Sequence, residues 1–297
     1  MSNQDFGLSG YVPESVQNDG DNYPLIYWLN TTKLGGVVGA WHTSSWETLP
    51  EPWKQSDRFA NEENGHDTQR LTFVPLRMRE QWYMTIKGGA EDRLMAIPHY
   101  LDKTSAPTFL AKYGMKPEVF GGVRSTTQMM AMVQDIDEPV IIQAKGLVGA
   151  HVFKRATRRQ PGGIVSTYVN ACLAVANETK KSDAPIPHFS FWVTLETPKD
   201  AKGRIVTTEV GPGAIIIKPR LDIDPATITR EHLIKRYIGR DKQELALVMY
   251  QECEAWSKEY RDDFAQPIVA PPVADTPPSA PRNAPEGLFE SDDDKPF

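Results

Sequence analysis

The chain has 297 residues, of which 40% are hydrophobic, and a formal net charge of −6 at pH 7. A chain of this size can bury a sizeable core in one large domain or two small ones. Its overall charge argues against a uniformly basic nucleic-acid binder.

Charge is unevenly distributed along the chain. Residues 141–220 carry twelve Lys or Arg against five Asp or Glu, whereas residues 266–297 carry six acids and two bases. A basic middle and an acidic end are typical of a polyanion binder with a protein-binding tail. Chance variation in an ordinary protein would explain the basic middle equally well when it is taken alone.

The two cysteines, Cys172 and Cys253, lie far apart and have no partner at metal-binding spacing. They exclude a disulfide framework and a cysteine-based zinc knuckle, and they suit a reducing compartment. No apolar run approaches the roughly 18 residues of a membrane span, and the first residues lack a signal-peptide pattern. The sequence therefore predicts a cytoplasmic protein.

The first half of the chain predicts mainly strands. Residues 1–22 are polar, which predicts a flexible N-terminal segment. The folded, β-rich body of the protein is expected at 23–264, with a possible domain boundary near 125–138. Methionines at 126–133 are expected to fill the core. Short apolar runs predict strands at 24–30, 37–41, 71–76 and 79–86, the last two separated by Pro75.

The β pattern strengthens from Pro139. A long strand bent at Gly146 and Gly149 is expected over 139–153, because glycines let a small barrel turn its corners. Residues 164–177 are ambiguous between strand and helix, and three short strands follow at 189–195, 204–210 and 214–218. We therefore predict a β-rich α+β fold with a barrel of the oligonucleotide-binding (OB) type over about Pro139 to Lys218. The N-terminal strands would extend that barrel or form a second β lobe.

Two helices are predicted at the end of the body. Asp224-Pro225 is a helix start signal, and Leu233 to Ile238 have helical spacing. A second helix is expected from Asp241 to Trp256. Beyond Phe264, eight of the last 32 residues are proline, which predicts an extended linker at 265–286 before a disordered acidic tip at 287–297.

Clustered cations mark two candidate phosphate-binding turns. Lys154, Arg155, Arg158 and Arg159 fall within six residues, just before Gly162-Gly163. On a hairpin tip they would face a phosphate backbone without reading bases, although a solvated loop is an equally good interpretation. A second cationic turn and the end of the next strand supply Lys199, Lys202, Arg204, Lys218 and Arg220.

Aromatic side chains are candidates for stacking on bases. Alternation over 188–196 puts Phe189, Phe191, Val193 and Leu195 on a core face and leaves Trp192 on a polar face. An exposed Trp192 between basic turns is a stacking platform, whereas a second layer over that face would bury it. Trp41 and Trp82 are further candidates.

The last residues carry the most specific pattern in the chain. Asp292, Asp293 and Asp294 precede Lys295, Pro296 and Phe297. Such a segment suits a partner with an apolar pocket for the ring, a cation for the terminal carboxylate and a basic rim for the aspartates. It resembles the acidic tip, Asp-Asp-Asp-x-Pro-Phe, of bacterial and phage single-stranded DNA-binding proteins, although x is usually apolar there.

That resemblance implies a function. We expect sequence-independent binding of single-stranded DNA in replication, recombination and repair, with the tip recruiting the enzymes of those pathways. A divergent, phage-like version is suggested because the body has no recognisable family barrel. A homo-oligomer is possible, and no cofactor or metal is expected. The tip is also expected to compete with DNA for the basic groove.

Two alternatives remain open. Nucleotide-binding, zinc-protease and serine-hydrolase motifs are missing, so an enzyme is not expected. Asp135, Asp137 and Glu138 nevertheless allow a metal-dependent nuclease that carries the same tip, although a solvated acidic turn is the commoner explanation. The other alternative is a β-rich scaffold protein with a solubilising tail.

Overall fold

The structure is a computed structural model that describes residues 23–31, 37–56, 65–87, 93–97, 100–154, 162–179, 185–211 and 214–258. Its strands are Leu25–Thr31 (β1), Val37–Thr43 (β2), Lys54–Ser56 (β3), Gly65–Thr68 (β4), Arg70–Ile86 (β5), Arg93–Ile97 (β6), Phe120–Val133 (β7), Pro139–Lys145 (β8), Val193–Glu196 (β9), Thr208–Gly211 (β10), Ala214–Ile216 (β11) and Arg220–Leu221 (β12). Its α-helices are Ala106–Ala111 (α1), Gly146–Phe153 (α2), Ile164–Thr179 (α3), Arg230–Arg236 (α4), Arg240–Glu252 (α5) and Glu254–Lys258 (α6).

One large mixed sheet organises the described residues. Its strand order is β12-β9-β5-β7-β8-β1-β2-β4-β3, and β6 pairs with the far end of β5. Neighbouring strands are antiparallel except β1 and β8, which run parallel. β10 and β11 form a separate two-stranded sheet. The prediction of a β-rich α+β fold is confirmed.

Strand β5 runs through the middle of the sheet for 17 residues. The sequence predicted a break at Pro75, and that prediction is wrong. Pairing with β7 shifts register between Pro75 and Arg77 and then continues as far as Ile86. Leu76 is the residue left without a register partner in this pairing, and the interrupted ladder beside it tolerates a proline, which has no N–H to donate.

The described strands form an open sheet rather than a closed barrel, with β12 and β3 at its edges. The bent strand predicted over 139–153 is wrong, because β8 ends at Lys145 and α2 follows at once. Gly146, with φ +53°, turns the chain out of the strand. Gly149 lets α2 return close to β8, since a Cβ there would lie 2.4 Å from the Ala144 carbonyl oxygen. The ambiguous segment after residue 164 is helix α3.

Two layers of helix cover the sheet. Helices α2 and α3 pack on one face, over side chains such as Trp28, Phe73 and Val193. Helices α5 and α6 cover part of the other face, where Met130 and Met132 are buried. The expected core role of the methionines is therefore confirmed. No helix within the described ranges is long and apolar enough to cross a membrane.

The C-terminal helices are present with shifted starts. Asp224 caps a short 3-10 turn, Pro225–Thr227, through an Oδ1 that accepts the Ala226 N–H at 2.9 Å. Helix α4 begins only at Arg230, and α5 begins after Gly239. Cation–π contacts hold α5 and α6 to β5: Arg77 lies 3.8 Å from the ring centre of Tyr250, and Arg79 lies 4.2 Å from that of Trp256.

A row of polar side chains crosses the sheet between register partners. The Arg79 Nε donates to Gln128 at 2.7 Å, and the Gln128 amide donates to Gln143 at 2.9 Å. The row continues through Tyr27 and His42 to Asp67 on β4 and Lys54 on β3. Its buried members are Gln128, Gln143, His42 and Asp67, and the hydrogen bonds that they make offset the cost of burying them.

Lys145, at the end of β8, gives a testable pH dependence. Burial, helped by the nearby Arg124, lowers its pKa to about 8. The unfolded chain therefore holds this proton more tightly, and Lys145 makes the free energy of unfolding rise with pH between about 8 and 10.4. We expect Lys145→Met to remove that rise. Urea unfolding at several pH values would measure the free energy of unfolding of the variant and of the wild type. The difference between these two free energies should shrink from neutral to alkaline pH. A constant difference would contradict the prediction.

Candidate nucleic-acid interface

A groove opens where β9 meets the C-terminal helices. It encloses a cavity of about 650 Å³ and is called here the Trp192 groove. Its walls are residues 51–53, 70–72 and 133–135, together with Trp192, Thr194, Lys235, Arg236, Ile238 and Lys242. Segments distant in the sequence thus meet beside one tryptophan ring.

Two hydrogen bonds fix the backbone of Trp192, one through its N–H and one through its carbonyl. Its N–H donates to the Arg236 carbonyl at 2.8 Å, and its own carbonyl accepts the Tyr168 hydroxyl at 2.9 Å. The ring is half-buried, and the Lys242 ammonium lies 5.2 Å from the ring centre. A fixed aromatic ring with a cation beside it suits a planar, anionic ligand such as a nucleotide.

Four cations and two carboxylates, Glu51 and Asp135, line the Trp192 groove, and two further carboxylates outside the lining pair with its arginines. Arg236 donates to the Thr194 hydroxyl at 2.6 Å and pairs with Asp222. Asp222 also pairs with Arg70 at 3.4 Å, and Glu196 lies 3.5 Å from Arg70. These partners hold both guanidinium groups in place and offset part of their charge.

The two lysines differ from the arginines in their contacts. Within the described ranges, Lys235 and Lys242 have no ion-pair partner, and both are exposed. They are therefore the cations best able to meet a phosphate without first breaking an ion pair.

The predicted alternation around Trp192 is correct in part. Phe191, Val193 and Leu195 are buried on one face, as predicted. The strand begins only at Val193, and Phe189 packs on the opposite side against the C-terminal helices.

The predicted polar face around Trp192 is largely covered. Buried Ser190 accepts a hydrogen bond from Gln243 at 2.9 Å, and buried Thr194 accepts the bond from Arg236. The layer of helices that would bury Trp192 is thus present, but it leaves the ring at its margin.

Trp41 does not serve as a surface aromatic, and that prediction is wrong. Its exposed fraction is 0%, and its ring packs edge-on against Trp28 at 4.9 Å. Trp82 is half-buried and packs edge-on against Tyr100 at 5.5 Å. Phe73 is the register partner of Val193, the residue next to Trp192. Trp82 lies nine residues beyond Phe73, which is about 30 Å along β5. Trp82 remains a prediction, at a place separate from the Trp192 groove.

The first cationic stretch is flanked by helices rather than by strands. Lys154 is exposed just after α2, and α3 begins at Ile164, so helices flank the stretch. The hairpin prediction is wrong because the residues on either side have helical rather than strand geometry. Arg155, Arg158 and Arg159 lie outside the described residues.

The second cationic turn is present. Lys199 pairs with Ile205 across it, and both Lys199 and Lys202 are exposed. Arg204 pairs with Asp200 at 2.7 Å, and hydrogen bonds from Arg204 lower the pKa of that carboxyl. Arg220 is exposed on β12 and Lys218 is half-buried. The described lining of the Trp192 groove includes none of these five cations.

The cations that lie beside Trp192 were not predicted from the sequence: Arg70, Lys235, Arg236 and Lys242. One usable signal was the concentration of basic residues in the predicted C-terminal helices. Lys235 follows buried Leu233 by two residues, a spacing that puts it on the outer side of helix α4, and Lys242 is exposed near the start of α5.

The acidic turn follows β7. Asp135 has φ +63°, and Asp135, Asp137 and Glu138 are exposed. Glu138 accepts a hydrogen bond from the Trp46 indole at 2.9 Å. Within the described ranges, no group of three His, Cys, Asp or Glu side chains is arranged to hold a metal ion. The tip residues Asp292, Asp293, Asp294, Pro296 and Phe297 lie outside the described residues.

No protein-family model, no curated protein and no solved structure matches the chain. The class that the fold defines is a β-rich α+β protein with an open mixed sheet.

Proposed function

We propose that the protein binds single-stranded DNA without strong sequence preference, in replication, recombination or repair, and recruits partner enzymes through residues 287–297. The observation that carries this proposal is the segment Asp-Asp-Asp-Lys-Pro-Phe, which resembles the partner-binding tip of single-stranded DNA-binding proteins. The Trp192 groove supports it by offering a surface on the body with the chemistry that such a protein needs.

In this proposal the groove acts on a strand in two ways. The Trp192 ring stacks on a base, a contact that every base can make because each has a π face. Lys235, Lys242 and Arg70 meet the phosphates, which fixes the strand without reading its sequence. In this proposal a β surface and an aromatic side chain hold the bases, which is the role that they have in OB domains.

Single strands are favoured over duplexes for a physical reason. In a duplex the bases are stacked on one another, and their π faces are closed to a protein side chain. Stacking on Trp192 would require a duplex base to leave its stack, at a cost of a few kcal/mol. Single-stranded DNA has its bases open, so it gains the stacking contact without that cost.

A titration of fluorescent oligonucleotides tests the proposed function. We expect the full chain to bind a mixed-sequence single strand more tightly than the matching duplex, and affinity to fall as salt rises. Failure to bind the single strand at low salt would overturn the proposal and favour a scaffold role. Metal-dependent cleavage of the oligonucleotide, lost on Asp135→Ala or Asp137→Ala, would favour a nuclease.

A salt titration locates the cations that meet the phosphates. We expect Lys235→Ala with Lys242→Ala to reduce the slope of log K against log salt by about 1.4, because each phosphate contact on a single strand contributes about 0.7. The charge-matched double variant Lys199→Ala with Lys202→Ala tests the second cationic turn, and we expect a smaller change from it. The opposite order of effects would move the site to that turn.

A further inference from the structure

A second cavity adjoins the Trp192 groove. Its volume is about 490 Å³, which lies within the usual range for ligand sites, and it shares Pro52 and Arg70 with the groove. Its other walls come from β3, β4, the residue between β4 and β5, and Ala40 on β2. We call it the Lys54 cavity. A strand that leaves the groove past Arg70 would enter this cavity next.

The exposed part of the Lys54 cavity is polar and cationic. Lys54, Gln55, Gln69 and Arg70 are exposed on its walls. Within the described ranges Lys54 forms no ion pair, a property that it shares with the two lysines of the Trp192 groove. The side chains of Gln55 and Gln69 carry amide donors, which can bond to phosphate oxygens without reading a base.

The acidic residue in the described lining of this cavity, Asp67, is buried. Its Oδ1 lies 2.6 Å from the His42 Nδ1, and its Oδ2 has essentially no accessible surface. The His42 ring in turn fills the space over Gly65, since a Cβ on Gly65 would lie 2.4 Å from that ring. An anion in the cavity can therefore contact Lys54 and Arg70 without contacting an exposed carboxylate of the described lining.

The backbone that carries Lys54 is fixed before any ligand arrives. Buried Trp53 precedes it, and the Trp53 N–H donates to the Pro50 carbonyl at 3.1 Å. Lys54 itself is the register partner of Asp67 on β4. A bound phosphate therefore has to order only the lysine side chain, which keeps the entropic cost of the contact low.

The geometry of β4 and β5 gives the length of a path between the two sites. Trp192 is next to Val193, the register partner of Phe73, whereas Lys54 is the register partner of Asp67. Phe73 follows Asp67 by six residues, which is at most about 20 Å of extended chain. A stacked strand has one phosphate per about 3.4 Å, so about six nucleotides cover this distance, and an unstacked strand needs fewer.

A continuing strand suits this cavity better than a free anion does. Arg70 is already paired with Asp222 and Glu196, which leaves Lys54 as the cation of the described lining without an ion pair. One such cation is too little to hold a separate phosphate strongly. A strand held at Trp192 brings its own phosphates to the cavity at a local concentration in the millimolar range, so even a weak contact adds to its affinity.

We propose that single-stranded DNA held at the Trp192 ring continues past Arg70 into the Lys54 cavity, where Lys54, Gln55 and Gln69 bind its phosphates. The inference rests on the proposed function, since the Trp192 groove must first hold a strand. It gives the site a length of up to about six nucleotides and puts Lys54 at one end of it.

Oligo(dT) of about three and of about twelve nucleotides provides the test, because only the longer one spans the path. We expect Lys54→Ala to weaken binding of the longer oligomer by the full chain about fivefold at about 0.1 M salt and to reduce its salt slope by about 0.7, the share of one phosphate contact. The shorter oligomer, held at Trp192, should bind the variant and the wild type alike. Gln69→Glu puts a negative charge on an exposed wall of the cavity and should reproduce this pattern.

Lys87→Ala is the matched control. Lys87 is exposed just after the far end of β5, and the described linings of both cavities exclude it. This variant loses the same charge as Lys54→Ala and should leave the affinity for both oligomers nearly unchanged.

The outcomes separate this inference from the proposed function. If Lys54→Ala and Gln69→Glu leave the longer oligomer tightly bound while Trp192→Ala weakens it, the path is overturned and the proposed function stands. Equal losses for the two lengths, or an equal loss from Lys87→Ala, also overturn the path, since the overall charge would then be the cause. Absence of binding to the longer oligomer at low salt overturns the proposed function itself. Should either variant of the cavity fail to fold in a urea titration, the other decides.

Discussion

Replacing Trp192 by alanine is expected to weaken binding of single-stranded DNA by about 1–3 kcal/mol, the usual contribution of one stacked base. This corresponds to a loss of about 5- to 150-fold in affinity. The ring is half-buried at the wall of the groove, and its backbone is fixed by Arg236 and Tyr168. The wild-type protein therefore holds it in place before DNA binds, and alanine removes the whole stacking surface. Fluorescence anisotropy with a labelled oligonucleotide measures the change.

Two further variants sharpen this test. Trp192→Phe keeps a π face and should recover most of the lost affinity, whereas a purely structural role for the indole would leave phenylalanine as weak as alanine. Trp82→Ala removes a half-buried tryptophan from the far end of β5. We expect it to affect stability more than DNA binding. Equal losses of affinity from Trp82→Ala and Trp192→Ala, with both proteins folded, would contradict a site centred on the Trp192 groove.

The strands were the most predictable part of this fold. The segments of β1, β2 and β8 combine β-branched or other apolar residues with nearby turn signals, and all three are strands, whereas β7 was not predicted as a strand. A strand break was predicted at Pro75 because the bulge that accommodates this proline depends on the facing strand β7, which the local sequence does not reveal. Gly146 misled the prediction in another way, since a glycine can bend a strand or end one, and the packing of α2 decides between them.

The site was predictable only at its centre. Alternation along 188–196 singles out Trp192, because the period of a strand is local information. Its neighbours in the groove come from distant parts of the sequence. Arg70 lies at the start of β5, and Arg236, 44 residues after Trp192, accepts a backbone hydrogen bond from it. No local pattern encodes such contacts. Trp41 illustrates the same limit, since nothing local reveals that α2 brings Phe153 to within 6.4 Å of its ring.

Charge explains why the groove alone does not define a strong site. Asp222 and Glu196 pair with its two arginines, and Glu51 and Asp135 add negative charge to its lining. The attraction for phosphates therefore depends mainly on Lys235 and Lys242. A modest positive surface is easily masked by a nearby polyanion. Residues 266–297 carry six acids against two bases and belong to the same chain. In the proposed function they compete with DNA at a local concentration set by the connecting segment.

Ending the chain at Phe264 is therefore expected to tighten DNA binding at low salt by about two- to tenfold. The segment from Lys258 to Phe297 adds 39 residues, and an unpacked chain of that length has a root-mean-square span of about 35 Å. A body of this size has a radius of gyration of about 18 Å, so the acidic tip can reach the groove. Tethering gives it a local concentration in the millimolar range, enough for a weak competitor to matter.

Salt separates this competition from other effects of truncation. Contacts between the tip and the groove are electrostatic, so the difference in affinity between the full and shortened chains should vanish as salt rises from about 50 to 200 mM. A full-length variant with Asp292, Asp293 and Asp294 changed to Asn is the matched control, and it should behave like the shortened chain. Equal affinities of all three proteins at low salt would show that the tip does not compete for DNA. Tighter binding by the shortened chain alone would assign the effect to residues outside the three aspartates.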